Sequence, residues 1–245
     1  MPRHGKQALC GLAFFLAFGL AGCASKSEPE IPERKPIDKQ KLSKIYTEMG
    51  AAYLAEGQPH IAIKELQKAI DLDPDNAGAH GSIAVLYEKL EMEDKARRHY
   101  RLAIKLQPDD PRIVNNYGRF LCEQGEPRKG LKLLARAAND RLYVNRWVPM
   151  INAGECALKA GDLEQSEKWL RQALELNPDS PHALATMARL KAKQGEYFSA
   201  RAFLQRYESR VKTLPPLMLR LGVEIETALG DEEAARSYRL KLGED

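Results

Sequence analysis

Three strings in this chain repeat one another. KAIDLDPDN, LAIKLQPDD and QALELNPDS each close an apolar-periodic run on a proline, at Pro74, Pro108 and Pro178. The first two prolines lie 34 residues apart. Self-similarity at a period of this size means that one small supersecondary unit is stacked on copies of itself. Within each period the large apolar and small residues fall on i, i+3, i+4, i+7 stripes, first in one run and then in a second, so each unit is a pair of helices. Gly57, Gly125, Gly161 and Gly195 stand where the first helix should stop, as the left-handed position after a helix requires. Asp73-Pro74, Gln107-Pro108 and Asn177-Pro178 stop the second helix, because a residue before proline resists the helical region. One pair cannot bury its own stripe, but a stack of pairs makes a continuous core.

The period and its residue types resemble the tetratricopeptide repeat. That family places a large residue at position 4, an aliphatic at 7, a small residue at 8 and an aromatic or aliphatic at 11. It continues with Ala at 20, an aromatic or aliphatic at 24, Ala at 27 and Pro at 32. Counted this way, six repeats start near residues 43, 77, 111, 147, 181 and 215. The first supplies Tyr46, Met49, Gly50, Tyr53, Ala62, Leu66, Ala69 and Pro74, matching at every position. The second departs at His80, the third at Gly130 and Leu142, the fourth at Ser166, the fifth at Lys191 and Tyr207. Two extra residues separate the third repeat from the fourth. The expected fold is all-α, a right-handed solenoid of six tetratricopeptide helix pairs over residues 42–245.

The beginning of the chain has a different grammar. Arg3 and Lys6 precede an apolar run from Ala8 to Ala21, too short for a permanent membrane span and ending in small residues. The ending Leu20-Ala21-Gly22-Cys23 resembles the bacterial lipobox, which implies a signal peptide over 1–22 and acylation of Cys23 as the first mature residue. At about 0.8 kcal/mol per buried CH₂, several acyl chains anchor a protein durably. Ala24 follows where an inner-membrane retention signal would carry Asp, so the expected location is the periplasmic face of the outer membrane. Residues 24–41 alternate Pro29, Pro32 and Pro36 with charges and read as an extended tether joining Cys23 to the solenoid.

Composition limits the function classes. The net charge of +4 is too small to imply nucleic acid, and it falls to about +2 without Arg3 and Lys6. The five histidines show no metal spacing, and neither a phosphate loop nor a nucleophile-base-acid signal is present, so no catalytic residue, small-molecule substrate or cofactor is expected beyond the lipid on Cys23. The inner surface of such a solenoid is lined by positions 2, 5, 9, 12 and 13 of the first helix. In the first two repeats these bring Lys44, Thr47, Ala51, Leu54, Ala55, Gly78, Gly81, Val85 and Glu88, a small and lightly charged floor suited to a partner helix or strand. Repeats three to five bring Arg112, Asn115, Arg119, Arg189 and Lys193 instead. Cys122 and Cys156 fall at positions 12 and 10 of neighbouring first helices. They are expected either to form a disulfide across the irregular joint or to remain two buried thiols.

The stretches Asn115-Asn116-Tyr117-Gly118-Arg119-Phe120-Leu121-Cys122, Asn152-Ala153-Gly154-Glu155-Cys156 and Gly195-Glu196-Tyr197-Phe198-Ser199-Ala200-Arg201 resemble one particular family, the tetratricopeptide lipoproteins of type IV pilus biogenesis known as pilotins. The order of signal, lipobox, Pro-rich tether and six repeats is similar too. The resemblance implies a non-enzymatic protein that binds the pilus secretin and promotes its localisation and multimerisation, supporting pilus assembly and twitching motility, through its N-terminal repeats. The alternative is a repeat scaffold for another envelope machine, serving β-barrel insertion or peptidoglycan.

Overall fold

A computed structural model describes residues 38–243; the signal segment, Cys23 and the tether to residue 37 lie outside them. The described residues form twelve α-helices and no strand: α1 (Lys39–Ala55), α2 (Pro59–Leu72), α3 (Ala77–Lys89), α4 (Glu93–Leu106), α5 (Pro111–Glu123), α6 (Pro127–Asn139), α7 (Trp147–Lys159), α8 (Leu163–Leu176), α9 (Pro181–Lys193), α10 (Tyr197–Glu208), α11 (Pro216–Ala228) and α12 (Glu232–Leu242). Odd-numbered helices are the first of each pair. Each packs on its own even-numbered partner and on the odd-numbered helices before and after it.

Local chemistry sets the boundaries. The side chains of Asp38, Asn76, Asp110 and Ser180 accept hydrogen bonds from the first backbone N–H groups of α1, α3, α5 and α9. The Asp38 cap starts α1 at Lys39, so residues 39–41, read above as tether, are helical; a cap two residues past Pro36 outweighs the charged composition. Prolines occupy the first turn of α2, α5, α6, α9 and α11, where a missing N–H costs nothing. The turn from α1 to α2 passes through Gly57 at φ 74°, whereas the turn from α3 to α4 uses Glu91 at φ 56°.

The core is built at the repeat positions. Ala62, Leu66, Ala69, Ile83, Ala84, Ala96, Tyr100 and Ala103 are wholly buried. Position 8 must be small because the partner helix lies directly against it. A Cβ on Gly50 would sit 2.6 Å from Leu66 Cγ, and one on Gly154 equally close to Leu170 Cγ. Truncating Leu66 or Leu170 to Ala would remove the filling atoms and costs about 2–5 kcal/mol at such sites.

Three departures from the repeat pattern have a local reason, and a fourth opens to solvent. Ser166 replaces Ala and is buried, its hydroxyl donating to the Gly154 carbonyl at 2.8 Å. Lys191 replaces an aliphatic residue; its buried ammonium pairs with Glu167 at 2.9 Å and Glu196 at 3.0 Å. The hydrogen bond from Lys191 in turn holds Glu167 down to about 2, against the opposing effect of burial. Gly130 replaces Ala because Cys122 Sγ occupies the place of its absent methyl, with the Gly118 carbonyl oxygen 2.6 Å from that point. Leu142 stands in place of the terminating proline and points into solvent, 92% exposed, in the loop between α6 and α7.

Candidate partner-binding groove

The first helices of repeats one to three form one concave wall. α1 contributes Lys44, Thr47, Ala51 and Leu54, and α3 contributes Gly78, Gly81 and Val85. α5 closes the far side with Arg112, Ile113 and Asn116. The groove between them has a volume of about 520 Å³. Its floor is smooth because two of the α3 positions are glycines. A Cβ at Gly81 would stand 3.4 Å from Ile113 Cγ1, so a side chain there would fill the space a partner could occupy. Leu54 lines the groove but is mostly buried, packing on Ala62, Leu66, Ile83 and Leu86.

Two of the sequence candidates fall outside this groove. Ala55 is the last residue of α1 and is exposed there, outside the groove lining. Glu88 is committed elsewhere. Its carboxylate accepts a bidentate pair from Arg119 at 2.6 and 2.9 Å and a third bond from the Tyr100 hydroxyl at 2.8 Å. Burial opposes the charge on Arg119, yet the Glu88 carboxylate leaves its pKa raised. Burial and the adjacent Glu88 push the Tyr100 phenol well above its ordinary range. This trio clamps α3 to α5 below the groove and leaves the floor without a net charge at that end.

The rim is polar. Arg112 grips Asp110 through Nε at 3.3 Å and Nη2 at 2.9 Å. Burial works against ionised Asp110, but the Arg112 hydrogen bonds keep its pKa below the usual carboxylate range. Lys44 and Glu48 stand one turn apart on α1, both exposed. Behind the rim, Asn76 Nδ2 donates to Ser43 Oγ at 2.7 Å and to Thr47 Oγ1 at 3.0 Å, tying the start of α3 to α1.

Past the groove the inner surface changes character. Asn115 and Asn152 are buried and bonded to each other at 2.8 Å. Glu155 collects His182 at 3.0 Å and Arg189 at 3.7 Å, and although burial opposes ionisation, the His182 hydrogen bond and the Arg189 guanidinium lower its pKa. Cys122 and Cys156 form a disulfide between α5 and α7, with their Cα atoms 5.6 Å apart.

Sequence reasoning missed two features. Asn116 and Ser82 reach the groove from position 6, one place beyond the positions counted; the period itself could have flagged them. His80 and His99 face each other across α3 and α4, Nδ1 to Nδ1 at 3.0 Å, and His80 Nε2 lies 2.9 Å from the Pro74 carbonyl. That second bond makes His80 Nε2 the donor, so His80 Nδ1 accepts from His99. No signal in the sequence links residues 19 apart in this way. Among the described residues no three His, Cys, Asp or Glu side chains converge as a metal site would need.

Comparison with known proteins agrees with this architecture. Two tetratricopeptide-repeat family models match, one over residues 53–113 and 157–213, the other over residues 118–181. The Type IV pilus assembly protein PilF of Pseudomonas aeruginosa is 32% identical over 232 residues, covering 94% of this chain and 91% of its own. The crystal structure of PilW, described as a widely conserved type IV pilus biogenesis factor, superposes with a TM-score of 0.78 at 32% identity, over 82% of this chain and 92% of its own. The structure of Pseudomonas aeruginosa PilF superposes at 0.74 with 29% identity, over 83% and 91%. A helix-pair solenoid alike in sequence over 94% of the chain and in fold over 82% belongs to the PilF/PilW family of tetratricopeptide-repeat type IV pilus assembly proteins.

Proposed function

We propose that this chain is a non-enzymatic lipoprotein of the outer membrane that binds the type IV pilus secretin and promotes its localisation and multimerisation there. The observation that carries the reading is the groove of α1, α3 and α5. It is concave, floored by Ala51, Gly78, Gly81 and Val85, and sized for a secondary-structure element of another protein. Likeness to PilF over almost the whole length of both chains supports the pilus as the setting.

In this reading the acyl chains on Cys23 hold the protein at the membrane and residues 24–37 give the solenoid reach. The groove then keeps a secretin subunit at the surface where its multimer forms. Ala51 is exposed on the groove wall and Val85 half-exposed on its floor, so Ala51→Glu and Val85→Glu place a charge in the groove without entering the core. Each should lower secretin co-purification at least tenfold and leave helical content unchanged. In cells, deleting the protein should shift the secretin from multimers to monomers on gels. Unchanged multimers with pili still on the surface would end the proposal.

A further inference from the structure

The two residues inserted between repeats three and four build something on the surface. The loop from Asp140 to Arg146 carries Leu142 at 92% exposure and Val144 at 90%. No other large apolar side chain among the described residues is so open to solvent. The loop is held in shape: Asp140 Oδ1 accepts from the Leu142 N–H at 2.8 Å, and the Tyr143 N–H donates to the Asp140 carbonyl at 3.2 Å. Arg141 and Arg146 flank the two aliphatic tips, and neither guanidinium has an acidic partner among the described residues.

The position of this loop matters as much as its content. Each odd-numbered helix starts, and each even-numbered helix ends, on the same edge of the solenoid, because the pairs are antiparallel and the first helices run alongside one another. Asp38, where the chain enters α1, is therefore on the same edge as the α6–α7 loop. α7 is three first-helix steps from α1, about 30 Å at ordinary helix spacing. The 15 residues from Cys23 to Asp38 span at most about 50 Å. An anchor at Cys23 thus leaves the loop within reach of the same bilayer. The intervening loops carry Asp73, Asp75 and Asp109, so the α6–α7 loop is the place on that stretch where apolar tips and unpaired cations coincide.

We propose that the α6–α7 loop is a second membrane contact: Leu142 and Val144 enter the interface of an anionic phospholipid surface while Arg141 and Arg146 meet its phosphates. The proposal rests on the lipoprotein reading for its setting. The loop alone binds with modest affinity, measurable at millimolar lipid. Tethering raises its effective concentration at the bilayer, so a weak contact is enough to hold this edge of the solenoid downward and turn the groove wall sideways.

The test uses the full mature chain with Cys23→Ser, which carries no acyl group, so loop binding is read independently of the anchor. The probe is vesicles of phosphatidylethanolamine and phosphatidylglycerol, with brominated acyl chains to quench tryptophan. Trp147 immediately follows the loop and reports its approach. The chain should cosediment with these vesicles, less with phosphatidylcholine alone, and its fluorescence should be quenched. Burying an aliphatic side chain strengthens partitioning on the order of tenfold. Leu142→Asp with Val144→Asp should therefore reduce vesicle binding at least tenfold. Leu142→Ser with Val144→Ser, which adds no charge, should reduce it in the same direction. Helical content stays that of the parent because both positions are solvent-exposed. Absent vesicle binding by the parent chain, or equal binding by the variants, overturns the proposal, including the case in which the variants instead lose a protein partner. Acylation is measured separately, by the mass of the Cys23 peptide from membranes, so a failed anchor and a failed loop give different results.

Discussion

His99 shows how one side chain can carry a pH dependence in an otherwise bland surface. Burial, His80 and Arg98 together lower its pKa to about 4, from an ordinary value of 6.5. The folded protein therefore holds it neutral where the unfolded chain would bind a proton. Its contribution is fully present above pH 6.5 and is lost as the pH falls from 6.5 to about 4. Urea melts across that interval should show stability falling with pH, and His99→Gln should flatten the slope there. An equal slope in the variant would mean that other groups carry it. The pair was not legible beforehand, since His80 looked only like a poor match at position 4 and His99 was one of five histidines without metal spacing. Glu88 teaches the same lesson from the other side. Position 12 correctly placed it on the inner helix, but its Arg119 and Tyr100 partners lie in other elements, and they, not the position, decide what it does.

Between elements, the joint of α5, α6 and α7 is the irregular one. The repeat pattern read Gly130 as a degenerate position, and in pattern terms it is. The cause is a sulfur from the preceding helix, which no count along the chain displays. Cys122 and Cys156 close a loop with a sequence separation of 34, and a crosslink of that span is worth about 3–4 kcal/mol in the chain-entropy account. Cys122→Ala with Cys156→Ala should lower the melting temperature by several degrees, and reductant should do the same to the parent but not to the variant. Gly130→Ala forces a methyl onto Cys122 Sγ and should cost about 1–3 kcal/mol, as overpacking does. It should also slow closure of the crosslink, read as free thiols by alkylation and mass. In the alanine pair the same Gly130→Ala change should cost less by the sulfur's share only, because the Gly118 carbonyl still lies 2.6 Å from the added methyl, and the difference separates the two clashes. The helix boundaries around this joint were readable because glycine, proline and cap residues act locally. The outward loop was readable only as two extra residues.

At the scale of the whole solenoid, stability is a chain of neighbour contacts. α1 packs on α2 and α3, and α12 packs on α11, whereas α7 touches α5, α6, α8 and α9. A one-dimensional array of this kind frays from its ends. Native-state hydrogen exchange should find the slowest amides in α5–α8, around the crosslink, and the fastest in α12 and the first turns of α1. Amides in α12 protected as well as those in α7 would contradict a nearest-neighbour picture. The architecture was legible in the sequence to within a few residues, since a period is a property of the chain itself. The groove was legible as a set of positions but not as a volume, because its third wall comes from Arg112, Ile113 and Asn116 on α5. The grouping of those walls depends on how adjacent repeats rotate, which no residue encodes alone.

Gly130 and the cystine beside it make the stiffness of this protein conditional. With the sulfurs joined, the missing methyl is filled and the middle of the array is clasped. The glycine weakens α6 by roughly 1 kcal/mol relative to alanine in either state, and with the thiols apart the joint also loses the crosslink that offsets it. The same chain is thus two materials, slack when reduced and taut when oxidised. One bond between α5 and α7 thus sets how firmly the two halves of the array hold together, and a reductant acts on that joint alone.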